Sequence, residues 1–240
     1  MAPDPAQTPT HPFQPIGIPS PCTETRTAIL DAAEALFGEN GVDGTSVRDI
    51  ARLAKANLGA INYYFGSKDR LAIEVFVRAL EPANLRRLAW LDRLEKEADG
   101  KPLPIETIME VLIRPMLERG AEEIHKSDAL HQLMSRCFHE SNPEVKAFVK
   151  ERFANVCQRF DTAIHRALPD LTPDELFWRT HFIIGAMHHA IGAWLRFDFL
   201  PLPALSNNEK PRRIETEELV RELIVCATAA FRAPSTTTSK

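Results

Sequence analysis

The side chains best suited to chemistry lie between Thr45 and Arg70, in the segment TSVRDIARLAKANLGAINYYFGSKDR. That chemistry is recognition rather than bond making. A short helix is expected to start after Asn57. At about 100° per residue, Leu58, Ile61 and Phe65 share one side of it, the side that faces a core. Tyr63 then points almost directly away from that core. Gly59 and Ala60 also face outward, and Asn62 and Tyr64 lie on the flanks. A phenol and an amide offer hydrogen bonds, while two small residues let the helix backbone come close to another surface. This combination suits a helix lying in a DNA major groove.

The local charge agrees. Arg48, Arg52, Lys55, Lys68 and Arg70 face only Asp49 and Asp69 between residues 48 and 70, a net of +3. The preceding helix and its turn are acidic, with Glu24, Asp31, Glu34, Glu39 and Asp43. The whole chain carries a formal charge of −4, which argues against a protein that coats nucleic acid by charge alone. Backbone N–H groups at the start of the third and fourth helices are placed to hold phosphate oxygens, with Lys68 beside the second.

Other constellations are weaker. His181, His188 and His189 invite a metal, but two His seven apart on a helix stand roughly 10 Å apart along the axis. No metal or other cofactor is expected. No Ser/His/Asp, Cys/His or paired-carboxylate arrangement supports an enzyme, so that class is disfavoured. The four cysteines form no CxxC and read as reduced thiols of a cytoplasmic protein.

The elements that position these groups are helical. There is little β-branched alternation, so the expected fold is all-α. Residues 1–22 hold seven prolines and read as a disordered arm. No Lys or Arg precedes Arg26, so the start lacks the basic region of a signal peptide. The apolar run Phe182 to Leu195 is too short and too polar for a membrane span. Ile29, Ala33, Leu36 and Phe37 mark a first helix that ends at Asn40-Gly41. Thr45 or Ser46 caps a second, with Val47, Ile50, Ala51 and Ala54 inward. Asn57 caps the third, and Ser67 caps a fourth with Leu71, Val75 and Leu85 inward. This head spans 23–83.

A body of longer helices follows over 84–233, with expected spans 104–124, 127–140, 144–167, 173–199 and 215–232, and a loose tail over 234–240. Thr172 as cap, Pro173 in the first turn, then Asp174 and Glu175 make a sharp helix start. The aromatic and Met content of this half exceeds what a small head needs. Met134, Phe138, Phe153, Trp178, His181, Phe182 and His188 are the candidate lining of an effector pocket, although ordinary core packing explains many such residues. Gly185 and Gly192 weaken a helix interior by about 1 kcal/mol each relative to Ala, which points to close approach of a partner helix or a ligand. Leu219, Leu223 and Ala227 share one face of the last helix and join these glycines as a candidate dimer interface.

Residues 24 to about 72 resemble the DNA-binding domain of the TetR family of bacterial regulators. The likeness is carried by A-LF-E-G at the end of the first helix, T-S-V-R-D-I-A in the second and Y-Y-F-x-S-K at the close. The resemblance implies a three-helix head, a homodimer and a palindromic double-stranded DNA operator. It assigns phosphate contacts to Thr45 and Ser46, a recognition surface to Asn57, Gly59, Ala60, Asn62 and Tyr63, and backbone grip to Tyr64 and Lys68. Arg48 and Lys55 add positive charge. Asn62 stands where many members have Tyr, and Tyr64 where many have His. The stretches FHESNPEVKAFVKERF and WRTHFIIGAMHHAI are similar to sensor domains of members linked to lipid or acyl-group metabolism. That implies a hydrophobic, acyl-bearing effector and a pair of last helices that build the dimer. The expected function is a ligand-responsive repressor. An activator or a regulator without a ligand is the alternative.

Overall fold

The computed structural model describes residues 20–117, 143–196 and 212–235. Among these there are eight helices and no strand. They are α1 (Ser20–Asn40), α2 (Val47–Leu53), α3 (Leu58–Phe65), α4 (Lys68–Glu97), α5 (Ile105–Leu117), α6 (Pro143–Ala167), α7 (Pro173–Arg196) and α8 (Thr216–Arg232). The all-α expectation holds. Helix α1 begins inside the segment expected to be a disordered arm, and the expected helix 127–140 lies outside the described residues. No described helix is long and apolar enough to cross a membrane.

Local chemistry sets the boundaries. Gly41 takes φ 77° and its N–H donates to Phe37 O, closing α1 in a conformation that glycine adopts without a Cβ clash. Ser46, rather than Thr45, caps α2 by accepting the Asp49 N–H at 3.1 Å. Asn57 caps α3 through the Ala60 N–H at 2.7 Å, and Ser67 caps α4 through the Arg70 N–H at 3.1 Å. At the start of α7, Thr172 and Glu175 form a reciprocal capping box. Thr172 N–H donates to Glu175 Oε2 at 3.1 Å, and Glu175 N–H donates to Thr172 Oγ1 at 3.3 Å. The Thr172 backbone N–H, then the Ser235 and Thr172 hydroxyls, hold the Glu175 carboxyl below its usual range. Arg179 bonds Glu175 and also the Phe231 carbonyl, so the start of α7 clasps the end of α8.

Two apolar cores result. The head core joins Ile29, Phe37, Ile50, Ile61, Phe65, Leu71 and Phe76. The body core joins Leu91, Ile108, Met109, Phe160, Met187 and Phe231. The expected boundary at 83/84 falls inside α4, which serves the head core up to Leu80 and the body core from Leu88. Helix α6 does the same. Its Val145 and Val149 complete the head core, and its Val156, Phe160 and Ile164 belong to the body. Between the two helices run ion pairs from Arg152 to Glu81 at 3.3 Å, and from Arg159 to Asp92 and Glu95 at 2.7 Å each. Arg166 reaches Glu95 at 3.9 Å. The three arginines recur every seventh residue, so one face of α6 carries them all.

At the junction of the cores the buried stripe of α4 is polar. Asn84 and Arg87 are buried, whereas Leu85, expected inward, is 60% exposed. Arg87 donates from Nε to Leu112 O at 2.9 Å and from Nη1 to Asn84 Oδ1 at 2.8 Å. Pro115 in α5 has no backbone donor for the helix, and Arg87 bonds a carbonyl in the turn before it.

Candidate nucleic-acid interface

Helix α2 ends in a Schellman turn. Lys55 N–H donates to Arg52 O at 3.3 Å, and Ala56 N–H donates to Ala51 O at 3.0 Å. The turn requires a left-handed residue, and Lys55 supplies it at φ 52° where glycine would do so without strain. Its side chain is exposed at the bend between the two helices. Asn57 follows at once and starts α3. A Cβ added at Gly59 would stand 3.3 Å from the capping oxygen of Asn57, so Gly59 leaves room for the cap as well as for an approaching surface.

Helix α3 holds itself by Ile61 and Phe65, both buried in the head core. Tyr63 is 77% exposed, and Asn57, Gly59 and Asn62 are exposed with it. Two expectations change. Leu58 is 44% exposed rather than inward, because the first residue of so short a helix overhangs the edge of the core. Ala60 is half-buried against that core instead of wholly outward. Tyr64 is likewise half-buried against the core, with its ring edge-on to Tyr63 at 5.1 Å between centroids. The outward face is therefore Leu58, Gly59, Asn62 and Tyr63, two neighbouring rows of residues four apart.

Thr45 does not reach this surface. It is 3% exposed, and its hydroxyl donates to Gly41 O at 2.8 Å and Leu36 O at 3.1 Å. The expected phosphate contact of its side chain is corrected to a structural one within the α1–α2 turn. The exposed Ser46 hydroxyl caps Asp49 N–H and donates to the Asp49 carboxylate. That bond, with Arg52 pairing the same group, holds the Asp49 carboxyl below its usual value. The acid is thus offset locally. Arg48 and Lys55 are exposed and form no ion pair among the described residues. Lys68 turns its ammonium back to Val42 O at 2.9 Å and Thr45 O at 3.3 Å.

Residues 29–75 match the family described as bacterial regulatory proteins, tetR family, and residues 110–230 match the tetracyclin repressor-like C-terminal domain. The transcriptional regulator AcrR of Shigella flexneri is 30% identical over 180 residues, which cover 72% of this chain and 79% of that protein. The chain belongs to the TetR family.

Other relatives match over shorter stretches. The transcriptional repressor NicS of Pseudomonas putida is 47% identical over 51 residues, 21% of this chain and 24% of that protein. Among solved structures, the hemolysin II transcriptional regulator HlyIIR superposes with a TM-score of 0.54 at 20% identity, covering 86% of this chain and 98% of its own. FadR of Bacillus subtilis, solved with stearoyl-CoA, gives 0.54 at 16% identity over 85% of this chain and 98% of its own. At those identities the likeness is one of fold. As a TetR-family member the chain is a helix-turn-helix transcriptional regulator, not an enzyme.

In this TetR body several residues of the two expected sets lie elsewhere than expected. Trp178, His181 and Phe182, expected in a pocket, are exposed on the outer face of α7 beside Phe177. Their rings stack on one another, Phe177 with His181 at 4.1 Å and Trp178 with Phe182 at 5.9 Å between centroids. Phe153, also expected in the pocket, packs against the head core. Only His188 of that set is buried within the body, and Met134 and Phe138 lie outside the described residues. Conversely, Gly192, Leu219 and Ala227, expected at a dimer interface, are buried within this chain, and Leu223 is half-buried against the body core. Gly185 does face outward, with nothing within 4 Å of an added Cβ. Arg87, Asn84 and the arginine face of α6 were not anticipated. The seven-residue spacing of Arg152, Arg159 and Arg166 was the available signal for the last.

Proposed function

We propose that this TetR-family regulator is a ligand-responsive, homodimeric repressor that reads a palindromic operator through α3. The observation that carries the proposal is the outward face of α3. There a tyrosine, an asparagine and a glycine stand together on a helix anchored by two buried residues. Tyr63 and Asn62 address base edges, and Gly59 with the open side of Ala60 permits close approach. Arg48, Ser46, Lys55, Asn57 and Tyr64 face the flanking phosphates. Two such heads stand about one turn of duplex apart, ~34–36 Å or a multiple of it. Fluorescence anisotropy with DNA flanking the protein's own gene, at several salt concentrations, tests this. Salt-independent or absent binding to every fragment sinks it.

The exposed rings of α7, with Val225 exposed on the adjoining α8, are the surface for the second copy. Exposed aromatic clusters of this kind are costly on a monomer and are put to use at interfaces. The effector is hydrophobic and acyl-bearing. Support comes from the fold shared with FadR, which was solved with stearoyl-CoA, and from an apolar body larger than a head requires. It releases the operator by binding better to a dimer whose heads are wrongly spaced. The protein works in the cytoplasm, where the operator is. Thermal shifts with stearoyl-CoA and free fatty acids test the effector class, and the absence of any shift overturns it.

A further inference from the structure

The turn between α1 and α2 is held by donors from two directions. Thr45 Oγ1 donates to the Leu36 and Gly41 carbonyls from within the turn. From outside it, Lys68 reaches back across 26 and 23 residues to the Val42 and Thr45 carbonyls. The turn passes close to the end of α1, because a Cβ at Gly44 would meet Asn40 O at 2.3 Å. Val42 is buried in the head core, so its carbonyl cannot swing freely into solvent. Thr45 O directly precedes the Ser46 cap, so whatever fixes it also fixes where α2 begins. Lys68 itself is the first residue of α4, immediately after the Ser67 cap. Its ammonium therefore ties the start of α4 to the start of α2, with α3 held between them.

We infer that Lys68 is a positioning residue for DNA binding: it acts through the Val42–Ser46 turn, setting α3 against α2, rather than as an independent phosphate ligand. An ammonium has three donors, and two are committed inside the protein before any DNA arrives. This rests on the operator-binding reading of the head, but its first test needs no DNA.

The test compares Lys68→Met, which keeps the aliphatic stem, with Thr45→Val, which removes a donor from the same turn and carries no charge. In the free full-length protein, hydrogen exchange at the Thr45, Asp49 and Ile50 amides accelerates about 10-fold or more in Lys68→Met while α7 amides stay unchanged. In anisotropy titrations both variants weaken operator binding, the double variant falls short of the product of the two effects, and the slope of log affinity against log salt is preserved. Loss of a true phosphate contact would instead lower that slope by about 0.9. Unchanged exchange in Lys68→Met, or a slope lowered by that amount, overturns the inference. If Lys68→Met does not fold, Lys68→Gln decides, because it also removes the charge: a preserved salt slope supports the inference and one lowered by about 0.9 overturns it. Absence of DNA binding by the parent protein would sink the operator reading instead, with exchange still deciding whether the tie exists.

Discussion

Arg87 Nη1 donates to Asn84 Oδ1 at 2.8 Å, one turn away in α4, inside the junction where the head core gives way to the body core. Burial, with Arg86 adding repulsion, pushes the Arg87 guanidinium down to about 10. A cation in such a place is retained by the carbonyls it satisfies, here the Leu112 O that its Nε also reaches. Arg87→Met takes a donor from two acceptors, the buried Asn84 Oδ1 and the half-buried Leu112 O, and is expected to lower stability by about 1–3 kcal/mol in urea unfolding. The double change Asn84→Leu, Arg87→Met removes one of those acceptors and should recover part of the loss. A double variant whose loss equals the sum of the two single losses would show that the pair is not coupled.

Lys55 pits stability against affinity. Lys55→Gly relieves a left-handed backbone at φ 52° and should raise stability by about 1 kcal/mol, since a side chain there costs roughly 1–2 kcal/mol. The same change removes an exposed cation from the bend, so operator affinity and its salt slope should both fall. Calorimetry and salt-dependent anisotropy on one preparation check the opposite signs.

Tyr63 and Phe65 are two residues apart and answer different questions. Tyr63→Ala alters an exposed ring, so thermal unfolding should move little while operator affinity drops about 10-fold or more. Phe65→Ala empties a buried site in the head core and should cost about 3–5 kcal/mol of stability. Equal thermal shifts for the two would contradict the assigned orientation of α3.

Glu175 gives the body an acid dependence. Its carboxyl lies below the ordinary value because donors at Thr172 and Ser235 favour the charged form. Its stabilisation is therefore full above the unfolded-state value and is lost as pH falls through the lower folded-state value. Thr172→Ala removes the hydroxyl but keeps the backbone donor. The Glu175 carboxyl, followed by NMR titration, should move part of the way back up. The stability gap between parent and variant should narrow as the solution is acidified.

The outer face of α7 should control assembly. Trp178→Asp together with Phe182→Asp places charge on two exposed rings, so each protomer should keep its helicity while light scattering reports monomers. Dimers of undiminished stability would move the interface elsewhere.

Most of the head was legible in the sequence. The caps at Asn57 and Ser67, the glycine closing α1, the inward Ile61 and Phe65 and the outward Tyr63 follow from residue type and helical period. Period could not reveal that Thr45 turns inward, because a threonine beside a cap satisfies a carbonyl as readily as a phosphate. Apolarity misplaced Leu85, since it has no way to foresee that Arg87 and Asn84 occupy the buried stripe. Helix α7 defeated the wheel for a related reason. It is apolar on two sides, Ile183, Met187 and Ile191 facing this chain and Phe177, Trp178 and Phe182 facing out. Sequence alone does not say which side belongs to the protomer.

The head core is not a continuous stretch of sequence. Val145 and Val149 of α6 close it from more than sixty residues beyond its other members. On the proposed reading, recognition can therefore be respecified at Asn62 and Tyr63, which are exposed and belong to neither core. Grafting a whole foreign head cannot. A transplant cut in α4 would bring a surface moulded to some other helix and set it against Val145 and Val149. In this regulator the letters proposed to read DNA are interchangeable, but the block that carries them is not.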